Sequence, residues 1–272
     1  MKFVEKLEQA VQRNTSLLCI GLDAEKAKLP SSVAHSMEAQ FEFNRRIIDA
    51  TADIVCAYKP NMAFYEAEGS VGLSALRKTL EYIPKHIPII LDAKRGDIGN
   101  TSRMYARACF DDLKVDAVTV NAYMGSDAVE PFLQYKDKAA FVLVKTSNPS
   151  AVEFEDLEDR NGVKLYLHVA NKVAEWNRKY PGTAGAVVGA TYAEDLIAVR
   201  AAVGDAPLLI PGVGAQGGDV QSTIENGLNS RGAGVIINSS REILFASAGA
   251  DFAEAARKKA TELREAFNAA RS

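Results

Sequence analysis

Eight short, almost wholly apolar runs punctuate this chain: Leu17–Leu22, Ile54–Tyr58, Ile87–Leu91, Asp116–Val120, Ala140–Val144, Ala186–Val188, Leu208–Ile210 and Gly234–Ile237. Runs this short read as strands. Their lack of polar alternation predicts parallel strands covered on both faces. Between them, helices are expected over Ala34–Thr51, Val71–Tyr82, Ile98–Phe110, Ser126–Gln134, from Val163 onward, and over Ala193–Val203 and Gly218–Asn226. Phe3, Leu7, Ala10 and Val11 make a helical stripe that opens the chain. Asp251–Ala270, rich in good helix formers, closes it. Asn61–Glu68 reads as a connecting loop.

Strands alternating with helices imply a parallel sheet joined by right-handed crossovers. Eight units at a spacing of roughly 30 residues fit a closed (β/α)8 TIM barrel, a fold of about 250 residues. The chain has 272, and no linker rich in Pro, Gly or Ser divides it, so residues 1–272 read as one α/β barrel domain with a short N-terminal helix. An open doubly wound sheet is the alternative.

Barrel enzymes build their sites at the carboxyl ends of the strands. Those ends carry Asp23, Lys59, Asp92 with Lys94, Asn121, Lys145-Thr146-Ser147, the run Pro211–Gln216 and the run Asn238–Arg241. Charged residues seldom belong in a buried strand unless paired. If Asp92 and Lys94 continue the third strand, a period of two places them on one side. Asp97 follows near the start of a helix, so two acids and a cation would converge. A solvated loop with Asp97 as helix N-cap is the other reading of that stretch.

Gly212–Gly217 matches G-x-G-x-x-G. The dinucleotide reading needs an acid about 20 residues later, where this chain offers Asn238 and Ser240. A phosphate site suits the position better, because the loops after the last two barrel strands often bind phosphate through backbone N–H groups. Gln216 and Arg241 would add side-chain donors, Arg through its planar fork. His35, His86 and His168 fall away from the strand ends. A histidine metal site or a Ser-His-Asp triad therefore lacks support, which narrows the chemistry to Lys and Asp.

A net charge of −3 makes no electrostatic case for nucleic acid or an anionic membrane. Cys19, Cys56 and Cys109 lack CxxC spacing and read as buried thiols in a reducing cytoplasm. Met1–Asn14 is amphipathic and mixed in charge, unlike a signal peptide, and no apolar run approaches ~20 residues. A soluble cytoplasmic protein is expected.

The run Asp92-Ala-Lys94-Arg-Gly-Asp97-Ile-Gly-Asn-Thr101, taken with Asp23, Lys59, Pro211-Gly-Val-Gly-Ala-Gln216-Gly-Gly and Arg241, resembles the orotidine 5′-phosphate decarboxylases. It is most similar to the bacterial branch with Arg-Gly between the Lys and the second Asp. The likeness spans all eight strands. It implies conversion of orotidine 5′-phosphate to uridine 5′-monophosphate, the last step of de novo pyrimidine synthesis. It also implies a homodimer that needs no metal or organic cofactor.

Residue by residue, the resemblance implies that Asp97 serves the neighbouring subunit's site, with Thr101 close by. Asp23 and Lys59 would contact the ribose hydroxyls, Ser147 the pyrimidine, and Gln216 with Arg241 the phosphate, flanked by Pro211 and Ser240. Loss of CO₂ leaves a charge in the ring plane that cannot spread into the π system, so a nearby cation matters greatly. Lys94 is placed to be that cation and then the proton donor. Asp92 and Asp97 would favour its charged form, and Lys59 would keep Asp92 ionised. The same D-x-K-x-x-D signature occurs in Mg²⁺-dependent keto-sugar phosphate decarboxylases and hexulose-phosphate synthases, which stand as the alternative. Lys145–Gly162 is a long connection, expected to fold over the base with its acidic run Glu153–Asp159 facing solvent.

Overall fold

The computed structural model describes residues 1–189, 193–212 and 220–271. Strands β1 (Leu18–Gly21), β2 (Ala57–Lys59), β3 (Ile90–Arg95), β4 (Ala117–Val120), β5 (Ala139–Lys145), β6 (Thr183–Val188), β7 (Leu208–Pro211) and β8 (Val235–Ser239) pair in parallel. β1 also pairs with β8, the step that an open doubly wound sheet lacks. β2 and β3 meet at the remaining seam through single bridges, Tyr58 with Ile89 and Asn61 with Asp92. Tyr58 N–H donates to the Pro88 carbonyl at 3.0 Å and Asp92 N–H to the Pro60 carbonyl at 2.9 Å. Pro60 and Pro88 have no N–H to return, so the ladder is sparse there.

Period-two alternation sorts the strand side chains. Leu18, Ile20, Val118 and Ile237 pack outward on the helices, whereas Cys19, Ala57, Ile90, Ala117, Phe141, Val187, Leu209 and Ile236 fill the barrel. The opening helix, Phe3–Asn14, plugs the floor. Its Phe3 and Leu7 join the inner cluster, and the Phe3 ring meets Phe141 edge-on at 5.6 Å. Two residues beyond this inner layer, toward the carboxyl ends, stand Gly21, Lys59, Asp92, Thr119, Gly189, Pro211 and Asn238. The packing of the interior thus dictates which residues ring the mouth.

Helix boundaries depart from expectation where local hydrogen bonds compete. The helix expected over Ala34–Thr51 is split into Ser31–Ala34 and Ala39–Thr51, because Ser36 Oγ takes the Glu38 N–H at 3.2 Å. Asn61–Glu68 contains a helical turn, Ala63–Glu66, led in by the Ala63 N–H donating to Asn61 Oδ1 at 3.1 Å. The third helix runs Gly99–Arg107 and continues as a π turn to Asp112. A further short helix, Arg241–Leu244, follows β8.

Candidate active site

β3 and β4 lose register at the barrel mouth. Leu91 faces Val118, yet Arg95 faces Val120, so Asp92, Ala93 and Lys94 bulge from the ladder. Lys94 adopts φ +45°, a left-handed conformation that costs a residue with a Cβ about 1–2 kcal/mol. Thr119, buried on β4, compensates. Its Oγ1 accepts the N–H of Ala93 at 3.0 Å and of Lys94 at 2.9 Å, and its hydroxyl donates to Asp92 Oδ1 at 2.8 Å. Asp92 and Lys94 do meet, but through this bulge and not through regular strand period. Sequence reasoning passed over Thr119; its one signal was a lone hydroxyl in an apolar strand.

Asp92 lies between two ammonium groups. Lys59 Nζ is 2.9 Å from Oδ2 and Lys94 Nζ is 2.7 Å from Oδ1. The Lys59 and Asp92 side chains are 6% and 11% exposed, whereas that of Lys94 is 51% exposed. Burial alone would raise the Asp92 pKa. The charges of Lys59 and Lys94, with their hydrogen bonds, overturn that and hold it well below the usual carboxylate range. Burial likewise disfavours the Lys59 ammonium, but Asp92 and Asp23 outweigh it and raise the Lys59 pKa. Both groups are charged at neutral pH, and Lys94 is the lysine of the pair that solvent reaches.

Asp23, just past β1, keeps Oδ1 buried without a hydrogen-bond partner among the described residues, and so does Asn238 on β8. Orphaned buried acceptors cost about 1–3 kcal/mol each, so such a pair points to a ligand that brings donors. Gly21 leaves the room: a Cβ there would overlap Ser240 Oγ and lie 3.2 Å from Asp23 Oδ2. Asn238 Nδ2 donates to Ser240 Oγ at 3.3 Å. Pro211 ends β7 opposite Asn238, and Arg241 is exposed next to Ser240. Gln216 lies outside the described residues.

The long connection after β5 corrects one expectation. Of its acidic run, Glu153 and Glu158 face solvent, but Glu155, Asp156 and Asp159 turn inward. Glu155 accepts both the N–H and the hydroxyl of Thr146, at 2.9 and 2.6 Å. Asp156 meets Lys145 Nζ at 2.8 Å, and Asp159 accepts the N–H groups of Asn161 and Val163. Backbone donors and a buried lysine draw these carboxylates in. Ser147 is half-buried, beside Gly189.

Asp97 is half-buried and accepts the Ile98 N–H at 2.7 Å. It is not the helix N-cap; Ile98 is, ahead of Gly99 at φ +55°. Among the described residues Asp97 pairs with neither Lys59 nor Lys94, so the expected convergence of a second acid does not occur within this chain. Thr101 is exposed on the first turn of that helix. His35, His86 and His168 are exposed, and His168 meets Asp159 at 3.1 Å. The described residues hold no group of three metal-binding side chains.

Residues 16–258 match the sequence profile of the orotidine 5′-phosphate decarboxylase / HUMPS family. A Thermomicrobium roseum protein named orotidine 5′-phosphate decarboxylase is 50% identical over 266 residues, covering 97% of this chain and 94% of its own. This chain belongs to that family. A second orotidine 5′-phosphate decarboxylase, from Azoarcus sp. strain BH72, is 47% identical over 275 residues and spans the whole of both chains. The solved structure of Leishmania donovani OMP decarboxylase superposes with a TM-score of 0.86 at 39% identity, covering 100% of this chain and 99% of that one. The orotidine 5′-phosphate decarboxylase / HUMPS likeness therefore extends from sequence to the complete barrel.

Proposed function

We infer that this chain decarboxylates orotidine 5′-phosphate to uridine 5′-monophosphate, the closing step of de novo pyrimidine synthesis. One observation carries the reading: a buried Lys59–Asp92 pair that holds the half-exposed Lys94 ammonium at the mouth of a barrel of this family. The bond between the ring carbon and the carboxylate breaks, CO₂ departs, and the electron pair stays on the ring carbon. That pair lies in the ring plane, out of reach of the π system. Lys94 supplies the opposing charge and then gives the carbon a proton. Asp92 sets negative charge beside the substrate carboxylate, a repulsion that the loss of CO₂ relieves. The steps use protein groups alone.

The rest of the mouth binds. The orphaned Asp23 carboxylate oxygen suits a ribose hydroxyl, with Lys59 beside it. Ser147 contacts the pyrimidine. Gln216 and Arg241 hold the phosphate between Pro211 and Ser240, and that remote grip supplies binding energy for the chemical step. Asp97 and Thr101 act across a homodimer. Ile98, Met104, Tyr123 and Met124 support this, being apolar, 52%, 48%, 87% and 46% exposed, and set on the segments after β3 and β4 where a second copy would cover them. The three cysteines are unpaired and buried, which suits a reducing cytoplasm. Among the described residues no helix is long and apolar enough to cross a membrane, and a net charge of −3 gives nucleic acid no purchase.

The Mg²⁺-dependent sister reactions are not favoured, since relatives at about half identity over the whole chain bear the decarboxylase name. Loss of absorbance from orotidine 5′-phosphate in the presence of a chelator tests the reading. Undiminished turnover supports it. Activity abolished by the chelator, or no turnover of this substrate, overturns it.

A further inference from the structure

We propose that Glu155 and Lys145 are positioning residues, which fix the backbone that presents Ser147 to the pyrimidine. The proposal rests on the assignment of Ser147 to the base. Lys145 reaches the mouth through a slip in register: Leu143 pairs with Val187, but Lys145 with Val188. Its side chain is 7% exposed and is met by Asp156 Oδ1 at 2.8 Å and Glu155 Oε2 at 3.8 Å, with the Tyr166 ring 5.1 Å away. The next residue, Thr146, gives its N–H and its hydroxyl to the two oxygens of Glu155. Two consecutive acids thus grip the two consecutive residues that precede Ser147.

The other side of Ser147 is held as well. Gly189 N–H donates to the Lys145 carbonyl at 2.8 Å, and a Cβ at Gly189 would stand 3.0 Å from Ser147 Cβ and 3.1 Å from its nitrogen. The acids are in turn anchored to the following helix, Leu165–Lys179. Tyr166 N–H donates to the Glu155 carbonyl at 3.0 Å, and Lys164 Nζ lies 3.5 Å from Asp156.

A buried ion pair adds little net stability over apolar packing of the same volume. What this one supplies is direction: a carboxylate with two fixed acceptors sets the Thr146 peptide at one height and one angle. A hydroxyl on a long connection needs that, since a misplacement of about 1 Å can cost a reaction ~100-fold. Neither residue reaches the reacting atoms in this scheme; both act through Ser147.

A double-mutant cycle on the full chain tests it, with kcat and KM measured for Ser147→Ala, Glu155→Ala, Glu155→Gln and the Ser147→Ala/Glu155→Ala pair. Each single Ala variant should lower kcat/KM by about 10- to 100-fold. The double variant should fall no more than ~3-fold below Ser147→Ala alone, because the two act as a unit. Glu155→Gln keeps one acceptor and should recover part of the loss. Should Glu155→Ala fail to fold, Glu155→Gln runs the same cycle. Multiplying losses, or unchanged kinetics in both Glu155 variants, overturns the proposal. Full activity of Ser147→Ala overturns the base assignment and this proposal with it, while leaving the decarboxylation itself standing.

Discussion

Thr119 holds Lys94 by the backbone, with its Oγ1 2.9 Å from the Lys94 amide nitrogen. The same oxygen takes the Ala93 N–H and orients Asp92, so one hydroxyl supports the whole bulge. Thr119→Val keeps the shape and removes all three bonds. It should lower kcat by about 10- to 100-fold through misplacement of the ammonium, and stability by about 1–3 kcal/mol through unpaired N–H groups. Thr119→Ser should restore most of both. Steady-state kinetics and urea titrations read the two effects, and a Val variant with normal kcat would reject the role.

Asp92 should mark the protein's acid response. Its folded pKa is depressed, so its contribution is present above the ordinary value near ~3.9 and drains away as the pH falls toward the folded value. Lys59 has the opposite sign: its raised pKa contributes below ~10.4 and is lost only as the pH rises through the higher folded value. Asp92→Asn leaves the buried Lys59 ammonium facing Asp23 alone, at a cost of about 3–5 kcal/mol. The gap between wild type and variant should be flat from pH 5 to pH 7 and close by up to ~1.4 kcal/mol per unit below pH 4. Urea melts at pH 3, 5 and 7 decide it; an equal gap at pH 3 would contradict the assignment.

Arg241 and Gln216 should discriminate phosphate from its absence. Replacing either with Ala should weaken a phosphorylated nucleotide by about 10- to 100-fold, the worth of a hydrogen bond to a charged group, and leave the bare nucleoside nearly unaffected. Titrations with uridine 5′-monophosphate and uridine compare the two. Equal losses would remove these residues from the phosphate site.

A Lys94→Ala chain should lose at least ~10⁴-fold in kcat, having neither cation nor proton donor. An Asp97→Ala chain should also be impaired. If Asp97 works across the dimer, mixing the two restores one intact site in each mixed dimer. Random exchange then returns roughly a quarter of wild-type activity. No recovery after exchange would place Asp97 in its own subunit's site.

Much of this arrangement was legible beforehand because charges at the ends of apolar runs are conspicuous. Asp23, Lys59, Asp92 and Lys94 each end such a run, and the inner layer of Cys19, Ala57, Ile90 and Ala117 fixes the parity that brings their neighbours to the mouth. The bulge was not legible, since a lysine at φ +45° carries no glycine to announce it. Thr119 was hidden because threonine is also an ordinary strand former. Glu155 and Asp156 sit in an acidic run whose composition reads as solvated, and only the fold shows the buried Lys145 that draws Asp156 in. Asp97 accepts the Ile98 N–H and, among the described residues, pairs with neither Lys59 nor Lys94, which the alternation of polar and apolar positions did not announce.

The Lys59–Asp92 ion pair spans β2 and β3, a seam that pairs through isolated bridges beside Pro60 and Pro88. On the roles proposed for Lys59 and Asp92, the groups that serve the chemistry also rivet the cylinder. A substitution at either should therefore loosen the staves as well as slow the turnover.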